Sequence, residues 1–148
     1  MMTDAHRAAR FEGLHERTRR PLQLLVEELE TGLGDDLRSI TVIGSSLTPD
    51  FQPATSDINT VVLLEAYDMP ALDTVAGLMP SLSRYQVAPP LLMTRFHIER
   101  SRDVFGVEFL DFQLTHETIL GEDPFRALHF DKRHVRLQCE RELKAMLV

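Results

Sequence analysis

Apolar residues recur at helical spacing in the first part of the chain. The apolar positions there lie three or four residues apart and share one helical face: Leu22, Leu25, Val26 and Leu29. This pattern predicts an N-terminal helix over residues 4–33, with Asp4 as its N-cap. Pro21 is expected to open a second helical segment, since proline is tolerated in a first turn but not in an interior. Gly32 and Gly34 are expected to end the helix.

A second helical pattern predicts a C-terminal helix over residues 131–147. Its apolar positions also share one face: Val135, Cys139, Leu143 and Met146. An apolar helical face is normally buried against another surface. We therefore expect this helix to pack against the core of its own chain, against a helical partner, or against a second copy in a homo-oligomer.

Runs rich in Ile, Val and Leu between these helices predict β-strands. The predicted strands are residues 38–43, 57–65, 91–94 and 103–114. A helix is predicted over residues 69–84, beginning at Pro70. This order of elements predicts an α/β (α+β) fold with a mixed central sheet and helices packed mainly on one face. The length of 148 residues fits a single domain, 1–148, with its core over residues 38–114.

Charge and composition narrow the class of protein. The chain has 16 basic and 23 acidic residues, a net charge of −7, which argues against binding of long nucleic acid. The single cysteine, Cys139, excludes an internal disulfide and suits a reducing compartment. No apolar run approaches the roughly 20 residues of a membrane span, and the first residues contain no apolar signal region. We expect a cytoplasmic protein with no membrane contact.

The stretch between the first two predicted strands carries the candidate chemistry. A turn of Gly44, Ser45 and Ser46 follows the first strand, and backbone N–H groups at such a turn can hold phosphate. The next strand begins with Asp57 and Asn59, whose side chains share a face because they are alternate residues. Two carboxylates so placed can share Mg²⁺, which prefers hard oxygen ligands. Asn59 keeps an oxygen ligand but removes one negative charge, so we expect weaker metal binding.

This arrangement resembles the nucleotidyltransferase superfamily of the polymerase-beta type. In that family an apolar residue precedes Gly-Ser, and an Asp-x-Asp or Asp-x-Glu pair opens the next strand. The matching motifs in this chain are Ile43-Gly44-Ser45 and Asp57-Ile58-Asn59. The later segments VFGVEFLDFQLTHETILGEDPF and RLQCERELK are similar to bacterial nucleotidyltransferase-like proteins, so the resemblance covers residues 38–147. It implies a nucleotidyltransferase-like fold, a nucleoside triphosphate such as ATP on the Gly-Ser turn, and Mg²⁺ held by three carboxylates.

The resemblance places the third carboxylate on a later strand, and the predicted strand over 103–114 offers Glu108 and Asp111. Residues three apart on a strand face opposite sides, so only one of the two can join Asp57. Glu108 is the preferred candidate, because its two neighbours would then face the core together, and Asp111 is the alternative. The metal ligands implied are Asp57, Asn59 and Glu108, with Asp57 and Glu108 as the catalytic acids.

Two features weaken the case for catalysis. Asn59 stands where the resemblance implies an acid, and the loop from Gly44 to Ser56 contains no Lys or Arg. The arginines that folding can bring to the turn are Arg84, Arg95, Arg100 and Arg102. The six histidines show no metal-ligand spacing and are expected to have surface or capping roles.

We therefore expect a nucleotidyltransferase-like protein that binds a nucleotide or an acceptor. Metal-dependent transfer of a nucleoside monophosphate to a hydroxyl would be weakened or lost, with Mg²⁺ weakly bound or absent. The acceptor would be a small molecule or a protein. The alternative is a non-enzymatic regulatory or antitoxin-like module that uses the same scaffold to contact a protein.

Overall fold

The computed structural model describes residues 9–147. Within this range the strands form a four-stranded sheet in the spatial order β3-β2-β1-β4. The strands are β1 (Leu37–Ile43), β2 (Asn59–Leu64), β3 (Leu91–Thr94) and β4 (His116–Gly121). β1 is antiparallel to both β2 and β4, whereas β2 and β3 are parallel. The sheet is therefore mixed, which confirms the prediction.

Five α-helices in the same range accompany the sheet: α1 (Glu16–Leu33), α2 (Met69–Ser83), α3 (Arg95–Ser101), α4 (Gly106–Leu114) and α5 (Lys132–Met146). Asp68, Thr94 and Asp131 accept hydrogen bonds from first-turn N–H groups of α2, α3 and α5. These caps satisfy donors that a helix leaves unpaired at its start. Among residues 9–147, no helix has both the length and the apolarity needed to cross a membrane.

α1 and α2 cover the first face of the sheet. The predicted apolar stripe of α1 is buried there and packs on inward-facing side chains of β1 and β2, which include Ile40, Val42 and Val62. Gly32 of α1 lies so close to α2 that an added Cβ would overlap Thr74 Cγ2. The two longest helices that touch the sheet therefore share one face.

α3, α4 and the segment after β4 cover the second face. A smaller apolar cluster fills the space beneath them: Ile43, Val61, Leu63, Met93, Ile98, Phe109 and Phe125. Phe109, Phe112 and Phe125 contact one another with ring centroids 5.5 to 6.4 Å apart. α5 packs against α4. Side chains of β1 and β2 thus alternate between two apolar clusters, as expected for strands covered on both faces.

The prediction of a strand over residues 103–114 is wrong. Gly106–Leu114 is helix α4, and the strand that pairs with β1 follows it at His116–Gly121. The apolar residues of this stretch fit the two-residue period of a strand and also the spacing of a helix. Phe105, Phe109 and Phe112 lie three or four residues apart, as on one helical face. Packing of Phe109 and Phe112 against Phe125 selects the helix.

The N-terminal helix begins later than predicted. α1 starts at Glu16, where His15 Nδ1 accepts a hydrogen bond from the Arg17 N–H. Residues 4–8, including the proposed cap Asp4, lie outside the described residues. Pro21 is buried inside α1 instead of opening a second segment. Burial of the neighbouring leucines offsets the hydrogen bond that proline cannot donate.

Candidate functional site

The Gly-Ser turn leaves the sheet at the end of β1. Gly44 has φ of +79°, a left-handed backbone that favours glycine, and a short 3₁₀ turn follows over Gly44–Leu47. Ser45 is exposed, whereas Ser46 is only 5% exposed and its Oγ has no hydrogen-bond partner among the described residues. Of the three residues predicted to hold phosphate, Gly44 and Ser45 are therefore the accessible ones.

Asn59 lies directly beside this turn. It opens β2 and pairs with Ile43 of β1, and its Nδ2 is 3.8 Å from where a Cβ on Gly44 would stand. Ile58 is buried in the first-face cluster, so Asp57 and Asn59 project from the opposite side of the strand. Both residues are exposed. Folding thus brings the predicted turn and the predicted pair of side chains together at one edge of the sheet.

Gln86 fixes the loop that carries Asp57. Its backbone is left-handed, with φ of +58°, which is unusual for a residue other than glycine. Its side-chain Nε2 donates to the Ala54 carbonyl at 2.9 Å, and its own carbonyl accepts from the Ile58 N–H at 2.8 Å. These two bonds hold the loop on both sides of Asp57. The sequence carried no signal for this role, because the strained backbone appears only in the folded chain.

His116 is a further polar residue at the same edge that the sequence analysis did not single out. It pairs with Ile43 on the side opposite Asn59, so the two polar side chains lie about 10 Å apart across two strand spacings. His116 Nε2 is 2.8 Å from Asp123 Oδ2, and Nδ1 is 3.0 Å from the Gln113 carbonyl oxygen. Both neighbours are oxygen acceptors, so a ring nitrogen that carries a proton can donate to the one that it faces.

Asp123 is the group that anchors His116. Burial raises the pKa of its carboxyl, but hydrogen bonds from His116 and from the N–H groups of Phe125 and Arg126 outweigh this effect, so the pKa lies below its ordinary 3.8. The pair holds the segment after β4 onto the second face. The strand predicted over residues 103–114 placed His116 outside the sheet, so the sequence did not indicate its hydrogen bond to Asp123.

The predicted third acid lies on a helix. Glu108 is in the first turn of α4, and its Oε2 accepts a hydrogen bond from Gln138 Nε2 of α5 at 2.6 Å. Asp111 is exposed one turn further along α4. On a helix, residues three apart lie near the same face, so the strand alternation that separated the two no longer applies. The contacts of Glu108 connect it to α5, not to the Gly44 turn.

The strands beside the site supply no third carboxylate on its face. β3, the other neighbour of β2, and the residues leading into it read Val87-Ala-Pro-Pro-Leu-Leu-Met-Thr94, without an acid. The acid of β4, Glu117, pairs with Val42, whose side chain belongs to the first face. In the described part of the chain, no three His, Cys, Asp or Glu residues gather as a metal site. The residues present therefore do not fit the Mg²⁺ pair that the resemblance implies.

Three of the four candidate arginines, Arg95, Arg100 and Arg102, have contacts or neighbours away from the turn. Arg95 follows the last residue of β3 and pairs with Glu122, at the end of the sheet opposite Asn59. Arg100 lies over the Phe96 ring, 5.5 Å from its centroid. Arg102 joins Arg100 in a cleft of about 470 Å³ beside α3 and the start of α5. A second groove, of about 530 Å³, lies between α4 and α5, and neither of these clefts is lined by the Gly44 turn.

No protein-family model and no curated protein matches the chain. Solved structures do match it. A chain of the MntA–HepT toxin–antitoxin complex is 17% identical, with a TM-score of 0.50, and the match covers 88% of this chain and 99% of that one. A chain of a second complex, that of a tri-AMPylated Shewanella oneidensis HEPN toxin with MNT antitoxin, is also 17% identical, with a TM-score of 0.47. That match covers 89% of this chain and 99% of that one.

Identity at this level supports a common fold alone. The chain has the mixed α/β fold of the chain that it matches in the MntA–HepT complex. The expected nucleotidyltransferase-like scaffold is thereby confirmed.

Proposed function

We propose that this chain is a nucleotidyltransferase-like protein that binds a nucleoside triphosphate at the Gly44 turn, with metal-dependent transfer weakened or lost. The observation that carries the proposal is the position of Asn59, whose amide lies over Gly44 at the edge where Asp57 also projects. The turn offers backbone N–H groups, and Ser45 offers an accessible hydroxyl. These groups can bind phosphate oxygens without a metal.

The small number of carboxylates available to bind Mg²⁺ supports the proposed loss of metal-dependent nucleotidyl transfer. Asp57 is a carboxylate placed with Asn59, and the neighbouring strand β3 adds none. A neutral amide compensates less of the charge of Mg²⁺ than a carboxylate does, and electrostatic stabilisation of this kind is worth several kcal/mol of barrier. Glu108 stays a predicted third ligand, although its hydrogen bond to Gln138 favours a structural role.

Nucleotide binding is tested by thermal unfolding with ATP. A ligand at 100 times its Kd stabilises a protein by about 2.7 kcal/mol, which corresponds to a Tm rise of roughly 5–10 °C for a domain of this size. We expect the rise to be the same with Mg²⁺ and with a chelator. Ser45→Asp should weaken ATP binding by about tenfold or more, because it places a carboxylate among the phosphates.

Ser81→Asp is the matched control for this experiment. Ser81 is exposed on α2, so this variant makes the same charge change far from the turn in sequence. ATP should stabilise Ser81→Asp as it does the original chain. If none of the four nucleoside triphosphates raises the Tm at millimolar concentration, or if both serine variants respond alike, the Gly44 turn is not a nucleotide site.

An antitoxin-like interaction module is the second candidate function. The matched chain with the same fold comes from a toxin–antitoxin complex. In this chain the second half of α5 is exposed, including Leu143 and Met146 at 61% and 83%. This exposure favours a protein partner. The two candidates separate cleanly, because ATP binding depends on the Gly44 turn and partner binding on α5.

A further inference from the structure

β3 is an end strand of the sheet in the part of the chain that the structure describes, with β2 as its neighbour. In a parallel pair such as β2 and β3, alternate residues turn both backbone groups toward the neighbouring strand, and the residues between them turn both groups outward. An outward row of N–H and C=O groups is a template on which another chain can add a strand. The fold therefore gives β3 an edge that needs protection.

The side chains of β3 provide no charge at this edge. The strand consists of Leu91–Thr94 and contains no charged residue, and Leu91 is 46% exposed. Natural edge strands are commonly protected by charged side chains, above all lysine, or by proline. Two prolines precede β3, and they remove N–H donors only before its first residue. The outward backbone groups of the strand itself need another partner.

The hydroxyl of Tyr67 supplies that partner. It donates a hydrogen bond to the Leu92 carbonyl at 2.8 Å, and the Thr94 N–H forms a hydrogen bond with the same phenol oxygen. Leu92 and Thr94 are alternate residues, so both bonds are made on the outward side of β3. One residue of an added parallel strand would engage the same carbonyl and the same N–H. The phenol thus takes the place of one residue of a missing strand.

Two properties keep the Tyr67 phenol in this position as a donor. Its ring makes an edge-to-face contact with His97 of α3, with the ring centroids 6.5 Å apart. Burial raises the pKa of the phenol above its ordinary 10.0, and the hydrogen bond from Thr94, which lowers this pKa, is the smaller effect. The phenol is therefore protonated at neutral pH and can donate to Leu92.

The opposite edge of the sheet is covered in a different way. The Arg10 N–H donates to the Ile119 carbonyl at 2.7 Å, and Arg10 Nη2 donates to the Gly121 carbonyl at 3.5 Å. Ile119 and Gly121 are alternate residues of β4, so the segment before α1 contacts outward groups of that strand. Among residues 9–147 each edge is thus engaged by a group of the same chain, and at β3 this group is one side chain.

We propose that the Tyr67 hydroxyl is an edge cap that keeps β3 from pairing with β3 of a second copy of this chain. Such a pairing is self-complementary, because two antiparallel β3 strands present the same outward groups and the same exposed Leu91 to each other. The inference is independent of the proposed nucleotide site, since Tyr67 follows the end of β2 opposite Asn59.

Removal of the hydroxyl tests the cap in the full chain. Tyr67→Phe keeps the ring, and we expect this variant to have a larger mean mass than the original chain, rising with concentration, in size-exclusion chromatography with light scattering. Tyr85→Phe is the matched control, because it removes the hydroxyl of a tyrosine that is 42% exposed after α2, and its mass should equal that of the original chain. Leu91→Lys added to Tyr67→Phe should restore the original mass, since a charge disfavours pairing at an edge.

Amide hydrogen exchange measured by NMR tests the hydrogen bonds themselves. Leu91→Lys is compared with Leu91→Lys combined with Tyr67→Phe, so that association does not protect the amides. The Thr94 amide should exchange about tenfold or more faster once its acceptor is removed. The Met93 amide, which faces β2, should exchange at an unchanged rate and reports that the strand remains paired.

Several results would overturn the proposal. One is a Tyr67→Phe variant with the mass of the original chain at every concentration, and another is unchanged exchange of the Thr94 amide. Association that Leu91→Lys does not reverse would place the contact elsewhere on the surface. Faster exchange of Met93 together with Thr94 would also count against the cap, because Tyr67 would then stabilise the whole strand and not its edge.

Discussion

Asn59 is the residue on which the proposed loss of metal-dependent transfer depends. Its side chain faces the Gly44 turn from the first position of β2, where a carboxylate would meet a metal bound to phosphate. The amide can donate a hydrogen bond to a phosphate oxygen, which a carboxylate cannot do. The substitution therefore changes the edge from one suited to cations toward one suited to anions.

Restoring the acid alone should not restore a metal site. We expect Asn59→Asp to leave Mg²⁺ binding weaker than about 1 mM in the absence of nucleotide, because two exposed carboxylates lack a third ligand on the neighbouring strand. Isothermal titration calorimetry with MgCl₂ measures this directly, with Asp57→Asn as the matched control. Binding at tens of micromolar in Asn59→Asp would show that a third ligand is present after all.

Asp123 makes the stability of the chain depend on pH. A carboxyl with a lowered pKa contributes stability that is complete above its ordinary 3.8 and is lost as the pH falls through its folded value. Asp123→Asn should cost about 1–3 kcal/mol at pH 7, since hydrogen bonds to a charged group are weakened. The difference from the original chain should shrink below pH 3.8.

Urea unfolding between pH 7 and pH 3 measures this difference. Asp73→Asn is the control, because it makes the same change at an exposed position on α2. A deficit in Asp123→Asn that stays constant across this range would contradict the role of the ionised carboxyl.

At the scale of elements, the contact between α4 and α5 depends on a buried glutamine. Gln138 is 2% exposed; its Oε1 accepts from the Val107 N–H at 2.9 Å and its Nε2 donates to Glu108. It thereby occupies a donor at the start of α4 that the helix itself leaves unpaired. Val135, which lies against Gly106, adds a second contact between the two helices.

Gln138→Ala should therefore destabilise the protein by about 1–3 kcal/mol, because it leaves the half-buried Val107 N–H without its partner. Glu108→Gln should stay within about 0.5 kcal/mol of the original chain, since an amide oxygen still accepts the bond from Gln138. Chemical denaturation measures both values. If Glu108→Gln instead removed an Mg²⁺-dependent part of ATP binding, Glu108 would be a metal ligand as predicted from the sequence.

At the scale of the whole molecule, the sheet divides the protein into two layers with different roles. The first face carries the larger cluster with α1 and α2, and it follows from the helical stripe of α1. The second face carries the smaller aromatic cluster, and the polar edge with Asn59 and His116 adjoins it. The exposed second half of α5 lies outside this second layer. The proposed nucleotide site and this exposed half of α5 are therefore separate surfaces.

The sequence by itself determined the mixed α/β scaffold, the position of the Gly44 turn before Asp57 and Asn59, and the apolar stripe of α1. These features are local: hydrophobic period and turn chemistry act over a few residues, and β1 and β2 are close along the chain. The stripe of α5 was likewise readable, and only its extent beyond Gln138 had to come from packing.

Tertiary structure alone decided α4, the location of Glu108, and the pairing of His116 with Asp123. The stretch 103–114 satisfies the periods of both helix and strand, and the contacts of Phe109 and Phe112 with Phe125 choose between them. That choice moves Glu108 onto α4 and brings His116 into the sheet. Metal coordination needs ligands from separate strands at one point, and whether distant residues meet there is fixed by packing, which a periodic pattern does not contain.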